Sequence, residues 1–148
     1  VASRFKDVVL KNPKIKFFLR VSSDSPLLDI NLITKLLKLR KHDYDIISNV
    51  KQRSFPKGQS IEILKSEFFL KNFKKITSKS DKEHVTKKLY KIPNANIYNL
   101  KNKINLSKYS LALDTIKDEK FIKFFLNKYN KKINWCNILK IRNNYEKN

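Results

Sequence analysis

Two aspartates are the first candidates for chemistry. Asp24 follows the run Ile15-Lys16-Phe17-Phe18-Leu19-Arg20-Val21, and Asp114 follows Tyr109-Ser110-Leu111-Ala112-Leu113. Both runs are short and mostly apolar, the pattern of a buried strand. In an α/β chain, a carboxylate at the carboxyl end of a strand faces the edge where such sheets bind ligands. If the two strands are neighbours, the pair can converge on one hard cation. Mg²⁺ suits that arrangement, because it accepts one or two carboxylates and completes its shell with phosphates and water. An Asp after a strand is more often a turn residue or the cap of the next helix, so spacing alone leaves both readings open.

The elements that would position these residues alternate between helix and strand. Arg4 to Leu10 reads as a helix ended by Pro13. After the first strand, Asp29 is placed to cap a segment in which Ile30, Ile33, Leu36 and Leu37 recur at helical spacing. Asp43 to Ser48 is a second strand candidate, followed by a Phe55-Pro56-Lys57-Gly58 turn and a short Ile61-Glu62-Ile63 strand. Ser66 is placed to cap a helix to Phe73, and Asp81 to Tyr90 forms another. Asn96 to Leu100 and Tyr109 to Leu113 are further strands. A helix then runs through Phe121, Ile122, Phe125 and Leu126, and a last one spans 134–146. Such a series predicts one domain over 1–148 of α/β class with a mostly parallel sheet. Gly58, the only glycine, marks a backbone position that needs close approach or positive φ.

Composition narrows the classes. The 148 residues carry 34 Lys and Arg against 13 Asp and Glu, a formal net charge of +21. That field invites a nucleic-acid partner, and a basic binding module without enzymatic activity is the alternative reading. Of the basic residues 29 are Lys and only 5 Arg, and Lys, Asn and Ile together fill 61 positions. All three have codons built only from A and T, so nucleotide bias accounts for the profile without phosphate binding. The lysines also run evenly from Lys6 to Lys147. Nucleic acid is therefore not the expected partner, although the field supports an anionic substrate. Lysines interrupt every apolar stretch, so membrane insertion is not expected. A single cysteine, Cys136, and no zinc-type Cys/His spacing point to a reducing compartment, with the cytoplasm as default. The chain lacks methionine altogether, and is expected to begin inside a longer coding sequence.

Five pieces in order carry a resemblance. Arg20-Val21-Ser22-Ser23-Asp24-Ser25-Pro26-Leu27-Leu28-Asp29 resembles an R-x-x-G-D-x-P-L-I-D segment, and Asp43-Tyr44 to Ser48-Asn49 resembles D-Y-x-S-N. Phe55-Pro56-Lys57-Gly58-Gln59-Ser60-Ile61-Glu62 resembles F-P-x-G-x-x-V-E; Glu83-His84-Val85-Thr86 matches E-H-V-T; Leu113-Asp114-Thr115 with Asp118 matches L-D-T-x-x-D. Together, over 4–126, they resemble the cytidylyltransferase family of CMP-KDO synthetases and the spore coat polysaccharide biosynthesis protein SpsF, with the SpsF-like branch the nearest.

The resemblance implies a three-layer α/β/α, nucleotide-diphospho-sugar transferase-like (Rossmann-like) fold. The implied activity is transfer of a cytidylyl group from CTP to a sugar acceptor in surface polysaccharide biosynthesis, and a homodimer is compatible with it. Asp24 and Asp114 fall on the family's Mg²⁺ positions, as catalytic and metal-binding residues. Arg20, Gly58, Glu62 and His84 fall on its substrate-binding segments. For Arg20 an ion pair with Asp24 or Asp29 is the competing role, and for His84 a helix cap. The chain also departs from the family. Nothing in it resembles the basic, glycine-containing R-x-x-S-x-R-L-P-G-K loop that grips the triphosphate, Ser23 replaces a glycine, and Ser110 to Asp114 loses an Arg and a Thr. The expectation is therefore the carboxyl-terminal part of a domain, N-terminally incomplete or inactive as this chain.

Overall fold

A computed structural model describes residues 1–129 and 133–147. In chain order the elements are α1 (Ala2–Lys11), β1 (Phe17–Arg20), α2 (Ile30–Leu37), β2 (Ile46–Ser48), β3 (Glu62–Lys65), α3 (Ser66–Asn72), α4 (Lys79–His84), β4 (Ile97–Asn99), α5 (Ile116–Lys128) and α6 (Trp135–Tyr145). Short 3₁₀ turns continue α2 and α3 and precede β4.

The four strands form one sheet in the order β1-β3-β2-β4. β3 pairs antiparallel with both β1 and β2, and only β2 with β4 is parallel. The sheet is thus mixed, not mostly parallel as the alternation predicts. The cause lies between β2 and β3, where the chain contains a loop and no crossover helix, so β3 must return antiparallel. β1, β2 and β4 still share one direction, and their carboxyl ends lie at one edge together with the start of β3. The register makes that edge a single row: Arg20 opposite Glu62, Glu62 opposite Ser48, Ser48 opposite Asn99.

Strand alternation divides the apolar side chains between two cores. Ile47 and Ile63 join Leu36, Phe121, Phe125, Trp135 and Leu139 on the side of α2, α5 and α6. Ile46 and Leu64 join Val9, Phe68, Phe69 and Leu89 on the side of α1 and α3. β2 and most of β3 are buried, whereas β1 and β4, at the sheet's ends, are half-buried.

Several local expectations need correction. Tyr109 to Leu113 is no strand. It makes one isolated bridge, Lys57 to Ser110, and it lies against loop backbone instead of a strand. Ser66 is not a cap. β3 runs straight into α3, Lys65 takes the cap position, and the buried Ser66 hydroxyl has no partner among the described residues. The helix expected to reach Tyr90 stops at His84, because Val85 adopts φ 54° and ψ −59°. Asp29 does cap α2, accepting from the Asn31 amide, and Thr115 with Asp118 forms a reciprocal capping box at the start of α5.

Candidate active site

The edge row is built around Glu62, which is 1% exposed. Its Oε2 accepts from the Arg20 guanidinium and its Oε1 from the Tyr90 hydroxyl at 2.5 Å. The Tyr90 hydroxyl also lies 2.7 Å from Ser48 Oγ, so each polar group of this buried cluster is satisfied. Burial, then the adjacent Glu62 charge, pushes the Tyr90 phenol far above its ordinary value and keeps it protonated. Arg20 therefore pairs with neither Asp24 nor Asp29. Its partner is 42 positions away in the chain but directly opposite across the β1–β3 ladder. Replacing Arg20 by Met should leave the Glu62 carboxylate buried with only neutral donors. Since Arg20 itself is partly solvated, the expected cost is about 2 kcal/mol, read as a lower urea midpoint.

Asp24 and Asp114 sit on neighbouring loops. The Leu113 amide donates to the Asp24 carbonyl at 2.8 Å, which joins the segment before α5 to the loop after β1. Asp24 Oδ1 accepts from the Ser25 hydroxyl at 2.9 Å. Among the described residues the Asp114 carboxylate makes no hydrogen bond or ion pair. In a chain of net charge +21 neither carboxylate is paired with a cation among the described residues.

Gly58 brings these loops together. Lys57 bridges to the backbone of Tyr109 and Leu111 at 3.0 and 2.8 Å, and Gly58 has φ +83°. A Cβ there would lie 2.6 Å from the Leu111 carbonyl carbon and 2.7 Å from the Ala112 nitrogen. The glycine is thus demanded by backbone approach and by conformation together. Behind it, the fully buried Gln59 accepts from the Asp29 amide and donates to the Leu27 carbonyl, while Asn49 Nδ2 donates to the Gln59 carbonyl. These amides cross-link the loops after β1 and β2.

A cavity of about 540 Å³ opens at this edge, and Arg20, Asp24, Gly58, Glu62, His84 and Asp114 all line it. All six residues singled out in the sequence are brought to one place. Sequence reading missed Tyr90 and the basic residues Lys51, Arg53 and Lys57, which line the same cavity. No motif carries Tyr90, and the lysines are lost among the many others. His84 reaches the rim through an unusual turn. Its carbonyl accepts from the Thr86 amide across Val85, a γ-turn of the strained hand, closed over a valine with no exposed surface. Burying Val85 turns His84 and Thr86 to the cavity.

The donor set fits Mg²⁺. It consists of hard carboxylate oxygens without cationic partners among the described residues, on a cavity of about 540 Å³ that basic side chains also line. No group of three or more His, Cys, Asp or Glu side chains clusters for a metal among the described residues. The two carboxylates thus suit a cation that draws its other ligands from substrate and water.

No family model matches the chain, and no curated protein does. Among solved structures, a cytidylyltransferase from Leptospira borgpetersenii serovar Hardjo-bovis superposes on 99% of the chain with a TM-score of 0.87 at 21% identity. The chain has the fold of that cytidylyltransferase. It spans 63% of the length of that structure's chain. Among the described residues no helix is long and apolar enough to cross a membrane.

Proposed function

We propose that this chain forms the acceptor- and metal-binding part of a cytidylyltransferase domain of three α/β/α layers, which moves a cytidylyl group from CTP to a sugar in surface polysaccharide biosynthesis. The observation that carries this reading is the convergence of the six residues on one cavity at the carboxyl edge of the sheet. The likeness of fold supports it.

In the reaction a sugar hydroxyl oxygen bonds to the α-phosphorus, the bond to the β-phosphate bridging oxygen breaks, and pyrophosphate leaves. Asp24 and Asp114 would hold Mg²⁺, which offsets charge on the phosphate oxygens. Arg20, braced by Glu62, offers the phosphates a guanidinium fixed in direction, which costs little reorganisation when charge develops. Lys51, Arg53 and Lys57 add positive potential along the same cavity, with Arg53 anchored to Ser60 at 2.9 Å. His84 and Thr86 supply polar contacts at the rim, where an acceptor hydroxyl would be oriented. The triphosphate grip belongs, on this reading, to a segment outside this chain. The 148 residues alone should then bind CTP weakly and turn over little, since in-line attack depends on holding both reactants in place. The experiment is CTP-dependent pyrophosphate release by this chain and by a polypeptide that adds the upstream segment, across a panel of sugars. Release by the longer polypeptide with an acceptor supports the proposal. Its absence with every sugar acid and neutral sugar, in a folded protein, contradicts it.

A further inference from the structure

Helix α6 lies beyond the sequence motifs of the resemblance, and it touches both carboxylate loops. At its start the Trp135 amide donates to Asp29 Oδ2 at 3.0 Å, while Asp29 Oδ1 caps α2 through the Asn31 amide at 2.7 Å. One buried carboxylate thus holds the first turns of two helices and ends the loop that contains Asp24. Seven residues later, on the same face of α6, Arg142 Nη2 donates to Asp118 Oδ1 at 2.5 Å. Ile138 and Leu139, on the face between them, are packed in the core. The other oxygen of Asp118 accepts from the Asp114 amide at 3.2 Å, the Thr115 amide at 2.8 Å and the Thr115 hydroxyl at 2.8 Å.

We infer that Arg142 is a positioning residue for Asp114. α6 works as a strut: Trp135 secures it to the loop of Asp24, and Arg142 grips Asp118, whose second oxygen clamps the turn that carries the Asp114 carboxylate. The guanidinium is itself held on three sides, by Asp118, by Glu146 at 2.7 Å, and by the face of Phe121 at 5.4 Å from the ring centroid. The two carboxylate oxygens of Asp118 thus receive four donors, one from α6 and three from the turn of Asp114.

The inference rests on the reading of Asp114 as a metal ligand, and two measurements on the full chain keep the two apart. The first is amide hydrogen exchange at Asp114 and Thr115. Arg142→Met should speed both amides about tenfold, because the clamp loses its charged anchor while the rest of α5 stays folded. Arg142→Lys should restore part of the protection. Ile138→Val, which thins the packing of α6 and leaves the clamp intact, should lower the melting temperature without changing those two amides. The second is Mn²⁺ affinity, expected to fall about fivefold in Arg142→Met and to hold in Ile138→Val. Unchanged exchange at Asp114 and Thr115 in Arg142→Met, or an equal rise in Ile138→Val, overturns the strut. Should Arg142→Met fail to fold, Asp118→Asn provides the same test, since it keeps the size and weakens the grip. If the wild-type chain takes up no Mn²⁺ at all, the metal reading falls, while the exchange data still decide the strut.

Discussion

Asp24→Asn or Asp114→Asn, in a polypeptide that releases pyrophosphate from CTP, should lower the rate about a thousandfold. Each substitution keeps the volume and the local hydrogen bonds but removes a negative charge from a pair without cationic partners among the described residues. Asp24 would still accept from Ser25, and the Asp114 amide would still reach Asp118, so neither change should shift the melting temperature by more than a degree or two. That contrast separates a site residue from a framework residue. Loss of rate with loss of fold would argue for a structural role, and an unchanged rate would remove the metal assignment.

Gly58→Ala should act in the opposite way, through the fold. The added methyl meets the Leu111 and Ala112 backbone at 2.6 and 2.7 Å, and φ +83° disfavours any side chain. Neither neighbour can yield, since Leu111 is bonded to Lys57 and its side chain is fully buried. The combined cost is about 4 kcal/mol, which lowers the melting temperature of a chain of this length by roughly 10 °C. Thermal unfolding followed by circular dichroism reads it directly. A loss below about 1 kcal/mol would mean that the Phe55 to Gly58 turn moves freely away from the Tyr109 to Leu113 segment.

The site was more legible in the sequence than the framework beneath it. Asp24, Asp114 and Gly58 stand out because their types are scarce or special in a lysine-rich chain, and because apolar runs precede the two aspartates. Helices α2, α5 and α6 follow from their apolar spacing, and α2 also from its cap at Asp29, while the caps at Thr115 and Asn134 emerge only in the structure. What could not be read was pairing across distance. Arg20 finds Glu62 only because β3 folds back between β1 and β2, and a three-residue apolar run says nothing about strand direction. The same holds for Gln59, whose partners lie in the loop after β1, and for Tyr90, whose partners lie on β2 and β3. Val85 is opaque for another reason. A β-branched residue at positive φ runs against local preference, and its burial in the second core outweighs that strain.

The most direct test of the proposed site uses this chain as it is. Mn²⁺ is titrated into isotopically labelled protein, and broadening of amide resonances reports distance from the bound ion. Saturable broadening centred on Asp24, Ser25, Leu113 and Asp114, lost in Asp24→Asn and in Asp114→Asn, is the predicted result. Broadening that spreads over the other acidic residues, or that survives both substitutions, would contradict the assignment of Asp24 and Asp114 as a shared metal site.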